Sequence, residues 1–120
     1  IDLIGTTTGL GWLVGASSGE RERAMREIAH AAPDEVDRVR TDYETGRRQL
    51  AHHGYVFMRG TVRPDTTAIA TPLRRRPGDE LLVLVCALNT PAPRTEALER
   101  RAGELLLDAA RRISEELLAA

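Results

Sequence analysis

The chain has 120 residues and a net charge of −1, from 17 basic and 18 acidic side chains. That length suits one domain, and so even a balance supplies neither the basic face that nucleic acid demands nor an acidic tail with its own partner. Every basic residue is arginine, which excludes lysine chemistry; the lone cysteine, Cys86, excludes an internal disulfide, and the longest apolar run, Leu81–Leu88, is too short to span a bilayer.

The first element is carried by "GTTTGLGWLVGA", residues 5–16, with three threonines and then glycines at 9, 11 and 15. A dinucleotide fingerprint needs Gly-x-Gly-x-x-Gly after a strand, and here Val14 holds the third position. A P-loop needs Gly-Lys-Ser/Thr, and there is no lysine. The pattern that remains is a helix start, with Thr6, Thr7 or Thr8 as N-cap and the glycines letting a neighbouring backbone come close. A helix N-terminus offers free N–H groups to an anion, so a carboxylate near Thr7 and Thr8 fits the chemistry.

Ser17 or Ser18 caps a second helix running to about Ala31, with Met25, Ile28 and Ala29 on one face. Pro33 opens a third at its first turn, where the missing N–H costs nothing. Val36, Val39, Tyr43 and Leu50 share a face of that helix, and Gly54 after His52-His53 reads as its stop. The period then changes. "YVFM" and "TTAIATPL" are short and β-rich, and "ELLVLVCALN" is a continuous apolar run suited to a central strand. "RRRPGDE" between the last two predicts a hairpin turn, with its arginines at a solvated tip. A final helix from about Thr95 to Leu118 has Leu98, Ala102, Leu105, Ala109, Ile113 and Leu117 as its apolar stripe. Three helices, three strands and a helix predict an α+β fold, an antiparallel β-sheet flanked by helices. Three strands are few for two helical layers. The chain begins at Ile1 rather than Met, and Ile1–Ile4 reads as the end of a further strand, so part of the sheet is expected upstream or in a partner.

Catalytic equipment is sparse. His52 and His53 are adjacent and point about 100° apart on a helix, so they do not share an ion, and His30 stands alone. Cys86 lies inside an apolar strand with no evident histidine partner, which reads as a small core residue rather than a nucleophile. No Ser/His/Asp order, carboxylate pair or metal motif emerges. No enzyme activity, cofactor or metal is expected. The lone cysteine and the absence of a signal-peptide pattern point to a reducing cytoplasm.

Taken together, the residues resemble a known family. "TTTGLGWLVGASSGERERAMREI" looks like the small-x-Gly-x-small-Leu-Leu-Ala helix and following Glu/Arg-rich helix of IclR-type transcriptional regulators. "LAHHGYVFMRGTVRPDTTAIATPLRRRPGDELLVLVCALNTPAPRTEALE" resembles that family's Gly-Tyr strand, its Ala-Ile-Ala-x-Pro-Leu strand and the strand before its last helix, and "LLLDAARRISEEL" is like its ending. The likeness covers nearly all of residues 1–120 and corresponds to the later two-thirds of the C-terminal effector-binding domain. It implies a GAF-like fold that is partial, its first strands lying elsewhere. It further implies a small organic metabolite as ligand, a carboxylic acid among the candidates, and self-association into a homodimer or homotetramer. DNA would be bound only through a separate winged helix-turn-helix domain that this chain does not contain, and no membrane is implied.

Carried over by position, the family's pocket falls on Thr7 and Thr8, on Met58 of the strand after Gly54-Tyr55, on Thr66 and Ala68, and on Ala87 and Asn89. Met58 stands where family members can carry an acid. Gly60-Thr61 replaces a frequent Gly-Glu, and Ala87 and Asn89 replace hydroxyls. The implied pocket is polar but uncharged, suited to a ligand held by hydroxyl and amide hydrogen bonds and a helix N-terminus. Two other readings compete: an oligomerisation module with a degenerate, ligand-free pocket, and a small enzyme with a reactive Cys86, which lacks a visible base.

Overall fold

The structure, a computed structural model, describes residues 3–59, 66–89 and 96–120. Helix α1 covers Thr7–Gly15 and α2 covers Ser18–Ala31; a 3-10 turn at Pro33–Glu35 leads into α3, Val36–His53. Strands β1 (Val56–Arg59), β2 (Thr66–Pro72) and β3 (Val83–Asn89) follow, and α4 spans Glu96–Ala119. The sheet is antiparallel in the order β1-β2-β3, so the fold is the α+β arrangement expected from the sequence.

Local chemistry sets the helix ends. Thr6 is the N-cap of α1, its Oγ1 accepting from the Gly9 N–H at 3.0 Å. Ser17 and Glu20 form a reciprocal capping box on α2: Ser17 Oγ accepts from the Glu20 N–H at 3.2 Å, and Glu20 Oε1 accepts from the Ser17 N–H at 2.8 Å. Each such cap stabilises a helix by about 1 kcal/mol. Gly54 ends α3 at φ +86°, a left-handed conformation glycine adopts without steric cost, and its N–H donates to Leu50 O at 2.8 Å.

One sheet face carries α1 with α3 beside it; the other carries α4. On the first face Leu10 packs with Val56 and Ala70, while Leu13, Ile28 and Val39 join α1, α2 and α3 further out. On the α2 face, Ala24 is buried beside Ile28, and Ala29, expected inward, is exposed. Thr67, Ile69 and Thr71 alternate with these residues along β2 and are buried on the α4 side.

Three expectations are corrected. The apolar run of β3 predicts a central strand, yet among the described residues β2 is central and β3 lies at an edge. Its alternate residues Val85, Ala87 and Asn89 are exposed. Period-two exposure is what any strand with one covered face shows, and continuous apolarity cannot distinguish it from a strand buried on both faces. The stripe predicted for α4 is not the buried one. Gly103, Leu106, Ala110 and Ser114 face the sheet, while Leu98, Leu105, Ile113 and Leu117 are exposed and Ala102 and Ala109 half-buried. Small residues win the sheet side because the helix lies close: a Cβ on Gly103 would overlap the Tyr55 ring. Finally, Leu3 and Ile4 are not strand but pack against the cluster of Leu13, Ile28 and Val39; residues 1 and 2 lie outside the described residues.

The β2–β3 hairpin is an exposed tip, with Arg74 and Arg76 exposed and Arg75 half-buried, but it is also tied down. The Arg74 N–H donates to Ser114 Oγ at 3.1 Å, Arg75 pairs with Glu20, and Arg76 donates to the carbonyls of Leu118 and Ala120 at the end of α4. Thus the turn ties a helix on each face of the sheet.

Candidate functional site

The position of α1 over the sheet follows from its glycines. A Cβ on Gly15 would collide with Pro72, and one on Gly11 would lie 2.7 Å from Val83 Cγ1 and 3.2 Å from Ala70 Cβ. Four helical residues advance about 6 Å and two strand residues about 6.6 Å. The steps from 11 to 15 and from 70 to 72 therefore match, and α1 runs alongside β2 in the same direction. One turn earlier, Thr7 comes level with Ala68. It lies on the same stripe as Gly11 and Gly15 and is 4% exposed.

Ala68 is the middle of a cross-strand row. Met58 on β1 stands opposite it on one side and Ala87 on β3 on the other. Thr66 and Asn89 face one another one pleat further on, beyond the start of the helix. Sheet alternation puts Met58, Thr66, Ala68, Ala87 and Asn89 all on the face that carries α1. The structure thus brings the seven positions to one end of one face, in front of an α-helical N-terminus. Thr7 is buried, Thr8, Met58, Thr66 and Ala68 are half-buried, and Ala87 and Asn89 are exposed, so this end is open on the β3 side. Gly60 and Thr61, where the sequence departs from the family pattern, lie outside the described residues.

The polar character of this end comes from two sources. Thr7 Oγ1 is buried with no hydrogen-bond partner among the described residues. An orphaned buried hydroxyl costs about 1–3 kcal/mol, so a fold carries few of them. The first helical N–H groups, those of Thr7 and Thr8, have no carbonyl four residues back within the helix, whereas Thr6 takes up that of Gly9. None of the seven side chains ionises, so the charge these positions themselves present is that of the helix end, about half a positive charge.

Other features had weaker signals in the sequence. A groove of about 500 Å³ lies between α2 and α3, floored by Leu13, Met25 and Tyr43 and walled in part by Arg21, Arg26 and Arg40. Arg21 donates to the carbonyls of Leu13 and Ala16 at the end of α1 and stacks over Tyr43 at 4.6 Å. A second concavity of about 290 Å³ on the α4 side is lined by His53 stacked on Tyr55, by Phe57 tilted 54° to Tyr55, and by Arg59 paired with Glu99. No group of three or more metal-ligating side chains occurs among the described residues. Nor does any described helix have the length and apolarity to cross a membrane.

No protein-family pattern matches the chain, and no curated protein sequence does. Solved structures do. An IclR family transcriptional regulator from Brucella abortus is similar over 97% of this chain, with a TM-score of 0.77 and 25% identity. HmgR of Pseudomonas aeruginosa is similar over 96%, with a TM-score of 0.61 and 25% identity. The chain spans 44% of the length of each. In fold and element order, over nearly all of its length, the chain is thus similar to part of an IclR family transcriptional regulator.

Proposed function

We propose that the chain is the ligand-sensing and oligomerisation part of an IclR-type regulator working in the cytoplasm. A small organic metabolite docks at the start of α1, against Thr7 and Thr8 and over the row Met58–Ala68–Ala87, with Thr66 and Asn89 as further polar contacts. Binding changes the balance between subunit arrangements that hold a separate winged helix-turn-helix domain differently on DNA. It can do so only by its difference in affinity for the two states.

The observation that carries this reading is the orphaned Thr7 hydroxyl at a helix start. A ligand oxygen there would accept from the Thr7 and Thr8 N–H groups and take up the hydroxyl, repaying a cost the free fold bears. Titration calorimetry against a panel of small organic acids tests it, with Thr7→Val and Asn89→Leu as variants. Each variant is expected to weaken binding at least about tenfold, the loss of one good hydrogen bond. Binding that survives both changes would sink the site.

One observation favours the second reading, an oligomerisation module without a ligand: Ala87 and Asn89 are exposed and leave the site open. Self-association by sedimentation, together with silence in a broad thermal-shift screen, would decide for that alternative.

A further inference from the structure

Three arginines gather where α2 and α3 meet, and they are not alike. Arg21 is fixed: its guanidinium donates to Leu13 O at 3.2 Å and to Ala16 O at 3.1 Å, and it lies 4.6 Å over the Tyr43 ring. It satisfies the last carbonyls of α1, as a basic side chain near a helix C-terminus does. Arg26 and Arg40 are exposed, and neither has a hydrogen bond or a carboxylate partner among the described residues. Other arginines of α3 do find acids. Arg38 lies 3.6 Å from Glu35, and Arg47 pairs with Glu44 at 2.9 Å. Glu44 is four residues on from Arg40, a spacing at which helical side chains meet, and Arg47 holds it instead. Glu22 stands four residues before Arg26 and forms no ion pair with it.

Unpaired surface arginines are common. What sets these two apart is the ground between them. Arg26 on α2 and Arg40 on α3 wall the same groove of about 500 Å³, and its floor is apolar, with half-buried Met25 and Tyr43 above buried Leu13. A volume of this size fits one small molecule. A thioether beside an aromatic ring suits a flat aromatic body. A guanidinium stacks on such a ring and binds a carboxylate through two parallel N–H groups. The charge has the matching sign. Arg21, Arg26 and Arg40 face Glu22 and Glu44, and Arg47 already neutralises Glu44, so the groove is cationic on a chain of net charge −1.

We infer that this groove is a binding site for an aromatic carboxylate, with the ring over Met25 and Tyr43 and the carboxylate between Arg26 and Arg40. It is separate from the site at the start of α1. It adjoins the other end of that helix, where Arg21 holds the last carbonyls, and it is apolar and cationic where the first is polar and uncharged. It does not depend on the reading above. It also lies away from the open β3 edge. α3 packs on α1 and β1, and α2 packs on α3 and the 3-10 turn, so continuation of the sheet past β3 would leave the groove uncovered.

The two methionines of the chain allow the sites to be tested apart, since Met25 lies in the groove and Met58 lies opposite Ala68 in the other site. The chain, isotopically labelled at its methionine methyl groups, is titrated with 2-naphthoate and followed by NMR, with Met25→Leu to assign the two signals. The Met25 methyl should shift and saturate, with a dissociation constant of about 0.1–1 mM, as befits a small ligand in an open groove. The neutral isostere 2-naphthamide should bind about tenfold more weakly. Arg26→Gln and Arg40→Gln, at exposed residues with no partner to lose, should leave the circular dichroism spectrum unchanged. Each should weaken binding about two- to fivefold, and the double variant about tenfold. Glu22→Gln removes the free carboxylate from the groove and should tighten binding about twofold. Thr7→Val and Asn89→Leu should leave the Met25 response as it is.

A Met25 methyl silent up to about 10 mM 2-naphthoate, equal binding of the amide, or indifference to the double arginine change would each overturn the proposal. A shift of Met58 alone would overturn it as well, while supporting the site at the start of α1. Because each site has its own methyl signal, the two readings fail separately.

Discussion

Replacing Thr7 by valine should make the protein more stable. The hydroxyl is buried and has no partner among the described residues. Valine has nearly the same shape and removes the unpaired polar atom, a gain of about 1–3 kcal/mol. Lost helix propensity at this first position subtracts only a few tenths of a kcal/mol. For 120 residues, an unfolding entropy near 2.1 cal/mol/K per residue totals about 250 cal/mol/K, so each kcal/mol is worth about 4 °C. The melting temperature of the ligand-free chain should rise by about 4–12 °C, and the urea m-value should stay constant because the exposed surface is the same. The same change should remove binding of any ligand that takes up the hydroxyl. Calorimetric melts of wild type, Thr7→Val and Thr7→Ser without ligand are the assay, with serine melting below valine. A valine variant that melts at or below wild type would refute the reasoning, since the hydroxyl would then be satisfied in solution and the site would lose its main support.

Two further outcomes follow from contacts elsewhere. Gly103→Ala puts a methyl group into the space of the Tyr55 ring and should cost about 1–3 kcal/mol in chemical denaturation; adding Tyr55→Leu should recover much of that loss, and strictly additive effects would show that the two positions do not touch. The Glu20 carboxyl is held down to about 2 from an ordinary 4.5, first by the hydrogen bond from Arg75 and then by the Ser17 N–H. Its contribution is fully present above pH 4.5 and is lost as the pH falls toward 2. The melting advantage of wild type over Glu20→Gln should therefore shrink across that window, and an advantage constant from pH 6 to 2 would contradict the assignment.

The element order, a threonine cap among Thr6–Thr8, a serine cap at Ser17 or Ser18, the stop at Gly54 and the pairing of β2 with β3 were legible because each rests on local chemistry: a side-chain acceptor, a left-handed glycine, a period of two. The co-location of Thr66 with Asn89, and of Met58 with Ala68 and Ala87, came through the family resemblance. The register then expresses it in simple geometry, since alternate residues of paired strands share a face. The illegible parts depend on partners distant in sequence. α4 has two apolar arcs about 90° apart, and its composition favours the leucine-rich one; only the close approach of Tyr55 selects the small-residue arc for the sheet. The hairpin arginines are exposed as a solvated run would be, but their ties to Glu20, Ser114 and the end of α4 depend on residues far away in sequence. The edge position of β3 is likewise a matter of what stands next to it, which its own letters do not encode.

The glycine contacts of α1 have a mechanical consequence. At residues 11 and 15 the helix meets Ala70, Val83 and Pro72 with no side chain of its own in between. Such a contact has little rotamer freedom, since only the stiff χ1 of Val83 can turn, and Gly11 and Gly15 both keep an ordinary backbone geometry; the left-handed glycines among the described residues are at 5, 54 and 78. The helix start that carries Thr7 is therefore held by hard surfaces rather than by adjustable ones, and it has little slack. For the proposed ligand, the helix side of the site would be a wall that does not repack around it, and adjustment would be left to the open side at Ala87 and Asn89.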